Sequence, residues 1–219
     1  MIKRVLVALA ALAFAGSAAS AAGVTGATLS KDKRTTSVTA GSGHYAPPAV
    51  LPGKSAIFSN VGTKYPKGLY FCCYGNTISG PDSVVGAAYS VALQFTPASD
   101  MTAKEIDAGV GWAAGTNAVD LAIYDDAGGV PGKMLDGGQA TGLGIFGDCC
   151  TMAVANVRAK LKGGTPYWVV VSAEGDTWDA WAFNSTDEID QVTAAYNDGS
   201  GWQGPFGAVP APSFQVLGK

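Results

Sequence analysis

The chain has one histidine, four cysteines and charged side chains at only 14% of its 219 positions. Each scarcity removes a class of function. With His44 as the sole imidazole, in a stretch rich in Ser, Thr, Ala and Gly, a histidine-built metal centre or a Ser-His-Asp triad has almost nothing to be built from. His44 reads as a solvated residue. There is no glycine-rich phosphate loop, no nucleophile elbow and no zinc-protease motif. There is no run of Lys or Arg, and the net charge is −3. Nucleic acid and anionic membrane surfaces are therefore poor partners to expect. No sustained 3.6-residue periodicity and no internal repeat appear.

Behind Lys3 and Arg4 runs an apolar stretch, Val5 to Ala15, followed by Ala19-Ser20-Ala21. A basic start, a short apolar run and a small-x-small site make an export signal. The run falls short of the roughly 20 residues a membrane span needs, and Phe214 to Lys219 carries no second span. No cysteine closely follows the run, which argues against a lipid anchor. Cleavage after Ala21 would leave 198 residues with 12 basic and 17 acidic groups, a net charge of −5. The expectation is a secreted or periplasmic chain, soluble once cut, with no membrane insertion of the mature part.

The cysteines form two adjacent pairs, Cys72-Cys73 and Cys149-Cys150. Behind an export signal they read as cross-links. Three pairings exist. A vicinal ring joins neighbours about 3.8 Å apart, closer than the roughly 4.4–6.8 Å that disulfides prefer. A four-cysteine metal site requires both members of a pair to reach one ion, whereas neighbours on an extended chain point to opposite faces. Bridging one pair to the other closes a loop of about 77 residues, worth about 4–4.5 kcal/mol for the first bridge. The last is favoured, with the others left open. No metal and no cofactor are expected.

Residues 22–55, with Pro47-Pro48 and Pro52-Gly53, read as a flexible lead-in holding one early strand. From residue 56 to 219 the signal is period two. In Val84 to Thr96 the large apolar groups Val85, Tyr89, Val91, Leu93 and Phe95 fall on one face. Ile106, Ala108, Val110 and Trp112 repeat this, as do Val119, Leu121 and Ile123. Tyr167 to Val171 is apolar on both faces, as a central strand would be. Further strands are expected at 56–59, 135–140, 152–157, 179–184, 193–197 and 213–217. Turn chemistry separates them: Asp125-Asp126-Ala127-Gly128-Gly129, Gly163-Gly164-Thr165-Pro166 and Asp198-Gly199-Ser200-Gly201. About ten short strands indicate an all-β fold, an antiparallel β-sandwich or jelly roll.

Phe95-Thr96-Pro97, the strand ending Leu121-Ala122-Ile123-Tyr124-Asp125, the turn Gly129-Val130-Pro131-Gly132, and Leu161 with Gly164-Thr165-Pro166-Tyr167-Trp168 resemble a recurrent pattern of secreted bacterial β-sandwich modules, the choice-of-anchor domains among them. The resemblance spans roughly residues 56–217. It implies a secreted or surface module and carries over no catalytic residue. The C-terminal anchor of many such modules has no counterpart here.

Catalytic material reduces to carboxylates. Glu174, Asp176 and Asp179 cluster beside Trp178 and Trp181, but a glycosidase needs two carboxylates on opposite sides of a sugar. Three acids in one loop read better as turn residues. Asp125-Asp126 lacks the alternating spacing of a calcium loop and reads as a hairpin turn. The aromatics are more informative. Trp178, Trp181, Tyr196 and Trp202 fall near loops of the last third, and exposed rings suit stacking on sugars. Trp178 is the leading candidate, since Gly175, Asp176, Thr177 and Asp179 around it favour an exposed turn and offer oxygens. Trp112 and Trp168 are assigned to the core. The sequence thus points to a non-catalytic module binding a glycan or a surface component. The alternatives are a carboxylate-dependent glycan hydrolase and a purely structural extracellular protein.

Overall fold

The computed structural model describes residues 26–39, 54–62, 69–148, 152–184, 192–207 and 210–219. The expected signal at 1–21, His44, Cys149 and Cys150 lie outside the described residues, as does the side chain of Cys72. Among the described residues there are sixteen strands and no helix. In chain order they are β1 (Thr28–Leu29), β2 (Thr35–Ser37), β3 (Ser55–Ser59), β4 (Tyr70–Ser79), β5 (Ser90–Phe95), β6 (Met101–Ala108), β7 (Val110–Ala114) and β8 (Ala118–Asp126). There follow β9 (Pro131–Thr141), β10 (Ala153–Asn156), β11 (Lys160–Leu161), β12 (Tyr167–Ser172), β13 (Trp178–Asn184), β14 (Ala194–Asn197), β15 (Trp202–Phe206) and β16 (Phe214–Gly218).

They form three sheets: β1-β2-β4-β13-β7; β10-β6-β16-β3, with β11 also on β6; and β15-β14-β5-β12-β8-β9. Every strand pair is antiparallel. The six-stranded sheet turns Val91, Leu93, Phe95, Leu121, Ile123, Val169 and Val171 inward. Ile78, Trp181, Ile106, Phe214 and Val216 from the other two sheets meet them in one continuous core. The layering is sandwich-like, because a sheet with one apolar face must bury it against another. The two five-stranded sheets join at a seam where Gly109 N donates to Ser213 O and Ala182 N donates to Gly109 O.

The period-two reading located the core strands. β12 is central, between β5 and β8, as its two apolar faces require. Three expectations change. The strand expected from Val84 begins only at Ser90: residues 81–88 turn, Gly86 has φ +73°, and Val84 is 72% exposed. The run from Ile106 to Trp112 is two strands in two sheets, with the alternation carried across Gly109. Trp112 is only partly buried, its Nε1 donating to Gly115 O.

The lead-in contains a polar hairpin, β1–β2, that adds to β4. It has no apolar alternation to betray it. Its anchor is Thr36, fully buried, whose hydroxyl meets that of Thr77 at 2.9 Å. β4, the longest strand of that sheet, was equally hidden. Its buried residues include Gly75, Asn76, Thr77 and Ser79, which are not apolar. A Cβ at Gly75 would lie 2.3 Å from the Trp181 carbonyl oxygen, so β4 and β13 pair at this distance only with glycine there.

Candidate functional site

The tryptophans that led the sequence reading are structural. Trp181 is fully buried and its Nε1 donates to Ser213 O. Trp178 is 8% exposed, packs on Val85, Ala113 and Ala114, and donates to Thr36 Oγ1. Neither ring can reach a ligand. Alternation along β13 separates them: Trp178, Ala180 and Ala182 face outward into satellite clusters, while Asp179 and Trp181 face the main core. The glycine and acid at 175 and 176 do form an exposed turn, but the chain enters β13 before Trp178 is reached.

The acids offered as sugar ligands separate too. Asp176 is exposed, yet its carboxylate is committed to Thr116, accepting from the backbone N at 2.9 Å and from Oγ1 at 2.8 Å. Those bonds hold its pKa below the usual carboxylate range. Asp179 is fully buried, neither carboxylate oxygen has a partner, and burial pushes its pKa up to about 8. Glu174 is exposed. Two acids on the surface and one inside do not face each other across a cleft. Asp126 closes its hairpin turn, accepting from Gly128 N, Gly129 N, Gln94 Nε2 and Trp168 Nε1.

Tyr196 and Trp202 lie on opposite faces of the β14–β15 ribbon. Trp202 is half-buried against Trp168, Tyr124 and Val130 on the outer face. Trp168 is fully buried, as expected, although in this outer cluster. Tyr196 points the other way, into a groove of about 230 Å³ between the β14–β15 ribbon and strands β2, β4 and β13. Arg34, Tyr74, Asn76 and Phe183 complete its walls.

The groove carries one aromatic pair, Tyr74 with Phe183, and Tyr196, which pairs with Phe206 outside it. Tyr74 and Phe183 have ring centroids 5.3 Å apart, and Tyr196 and Phe206 5.7 Å. Tyr74 is 47% exposed, so half of that ring is open to solvent. Arg34 sits with its guanidinium carbon 5.9 Å from the Tyr196 centroid, within cation–π range. Its placement is local chemistry: Asp32 accepts from Ser30 Oγ and from Arg34 N, closing the β1–β2 turn in which Lys33 has φ 60°. Arg34 Nη2 reaches Gln203 Oε1 at 3.4 Å, and Gln203 Nε2 donates to Asp198 Oδ2. Among the described residues Arg34 has no carboxylate partner.

Asn76 is 4% exposed and its Nδ2 makes no well-formed hydrogen bond. It lies near enough to the Tyr196 phenol to lower that group's pKa, as Arg34 does, although burial is the larger effect and drives it up. The groove therefore offers an aromatic wall with a guanidinium beside it. Sequence reasoning found Tyr196 and missed the rest. Arg34 lay in a segment without periodicity, and Tyr74 beside the cysteines. The aromatic density of Tyr70-Phe71 and Tyr74 was the available signal.

Of the disulfide candidates, Cys73 is described, and it is unbridged, with burial raising its thiol pKa. No known family model matches the chain, and no curated protein is recognisably related to it.

Proposed function

We propose that the chain is a secreted, non-catalytic β-sandwich module of jelly-roll type, stapled by disulfides, that binds a glycan in the groove between Tyr74 and Tyr196. The observation that carries this reading is the groove's composition. Tyr rings offer an apolar face and a polar edge, which suits the face and hydroxyl rim of a pyranose. Arg34 supplies donors for hydroxyl or carbonyl oxygens. At about 230 Å³ the groove is smaller than drug-sized sites of about 300–1,000 Å³, so one or two sugar rings are the expected occupant. The kinship with choice-of-anchor modules belongs to the same proposal. So does the secreted or periplasmic location.

A glycan array followed by calorimetry on the secreted chain tests this. Tyr74→Ala should weaken the best glycan by at least about tenfold, or 1.4 kcal/mol. The melting curve should barely move, because Tyr74 is half exposed. No binding of any glycan at millimolar concentration would discard the reading and leave a purely structural protein.

A further inference from the structure

Residues 153–162 alternate strictly. Ala153, Ala155, Val157, Ala159 and Leu161 are buried in the main core. The residues between them point outward, and Arg158, Lys160 and Lys162 are exposed. β6 holds both ends of this segment, pairing with β10 and β11. Between them Val157 N donates to Lys104 O and Ala103 N to Ala159 O.

β16 brings more cations to the same end. Its register against β6 slips so that Leu217 opposes Glu105 and Gly218 opposes Ala103, which leaves Lys104 as the extra residue of a bulge. Lys219 exchanges two backbone hydrogen bonds with Thr102, of 2.8 and 3.1 Å. Lys54 immediately precedes Ser55, which opposes Gly218. Of the ten described Lys and Arg residues, six therefore meet here: Lys54, Lys104, Arg158, Lys160, Lys162 and Lys219.

They rim two adjoining depressions of about 560 and 500 Å³ that share Lys219. Three carboxylates stand among them. Glu105 is ion-paired with Lys54, Asp136 accepts from Arg158 N, and Asp100 accepts from Gly163 N. Six cationic side chains against these three carboxylates and the buried Asp107, which feels the charge of Lys54, leave a local excess of positive charge on a chain whose net charge is −3.

We infer that this end of the fold binds an acidic polysaccharide, a polymer carrying carboxylate or sulfate groups. Outward side chains on a strand repeat every two residues, about 7 Å, so Arg158, Lys160 and Lys162 extend a row of charge along which a linear polyanion can lie. Five of the six cations are Lys, whose compact ammonium attracts an anion without demanding the planar fork geometry of Arg. A nucleic acid fits less well. Single strands are held by stacking on exposed rings. The one ring lining either depression, Tyr167, is 7% exposed, its hydroxyl accepting from Lys162 N. This inference uses none of the groove residues and stands or falls apart from them.

Biolayer interferometry on the full secreted chain tests it, with polygalacturonate, dextran sulfate, neutral dextran and a 20-nucleotide single-stranded DNA as probes. Binding to polygalacturonate or dextran sulfate but not dextran is expected, at least about tenfold weaker at 500 than at 50 mM salt. K160E/K162E should weaken it by at least about tenfold. The matched reversal K31E/K133E, at exposed lysines outside the patch, should change it by less than about twofold. K160Q/K162Q repeats the test should the reversal fail to fold. Absence of polyanion binding at 50 mM salt, an equal loss in K31E/K133E, or tighter binding to the DNA would each overturn the inference.

Discussion

The guanidinium of Arg34 lies 5.9 Å from the ring centroid of Tyr196, joining a hairpin near the start of the described chain to a strand near its end. The contact puts an unpaired cation on the groove's aromatic wall. Replacing Arg34 with Met keeps an apolar stem and removes the charge. Exposed cation–π pairs contribute only about 0.5–1 kcal/mol, so the melting temperature of Arg34→Met should fall by no more than a few degrees. Glycan affinity, measured by calorimetry, should fall by at least about tenfold. Unchanged affinity would remove Arg34 from the site.

The tryptophans of β13 should behave oppositely. Trp181→Ala removes a fully buried ring that packs edge-on to Phe214 at 6.0 Å, and should destabilise by about 3–5 kcal/mol. Trp178→Ala also strips Thr36, whose hydroxyl meets that of Thr77, of its indole donor. Chemical denaturation should show loss of stability in both variants, with the larger effect at Trp181. A Trp178→Ala protein as stable as the parent would contradict the burial described.

The contrast shows which parts of the molecule could be read in advance. β5 and β8 were legible because burial of one apolar face imposes period two on the sequence, and β12 because both its faces are apolar. β4 and the β1–β2 hairpin were not. Their buried positions include Thr36, Gly75 and Thr77, satisfied by hydrogen bonds or close backbone packing, and such residues carry no periodic signal. The groove escaped for the same reason, since its walls come from those strands. Tyr196 was found as one of the aromatics that fall near loops of the last third. The basic end was written in the sequence as three cations spaced two apart, Arg158, Lys160 and Lys162. A search for contiguous runs passes over that spacing.

Asp179 makes stability depend on pH in an unusual direction. It opposes Ile78 on β4 and Trp112 on β7, neither of which titrates, and both its oxygens are unpartnered. Its folded pKa of about 8 lies above the ordinary value of 3.8, so between those limits the folded state holds a proton that the unfolded state has released. Stability is greatest below the unfolded value and is lost as pH rises through about 8, at about 1.4 kcal/mol per pH unit. Asp107, also raised by burial, adds to the same slope. The lowered carboxylates Asp32, Asp176 and Asp198 act only at lower pH, where protonation removes their turn hydrogen bonds. Urea denaturation from pH 5 to 9 should show falling stability, and Asp179→Asn should flatten most of the fall. A parent protein equally stable at pH 5 and 8 would refute this.

The cysteine pairs should cross-link to each other. Val38 N donates to Cys73 O, and the side chain of Val38 lies beside Gly147, two residues before Cys149. Phe146 and Met152, on either side of the second pair, pack in one cluster with Val38, Leu69 and Tyr70, which lead into the first. Cys73 shares its strand face with Gly75 and Thr77, which oppose Ala182 and Ala180 of that same cluster. Cys73 therefore lies on the face of β4 that this cluster covers. A bridge from Cys73 to Cys149 or Cys150 closes a loop of about 77 residues, worth about 4–4.5 kcal/mol in the chain-entropy account. Non-reducing peptide mapping of the secreted chain should recover that linkage. Reduction should lower the melting temperature by about ten degrees or more, at roughly 2–4 °C per kcal/mol. Two vicinal rings, or four free thiols in the secreted product, would show that the sandwich holds without a staple.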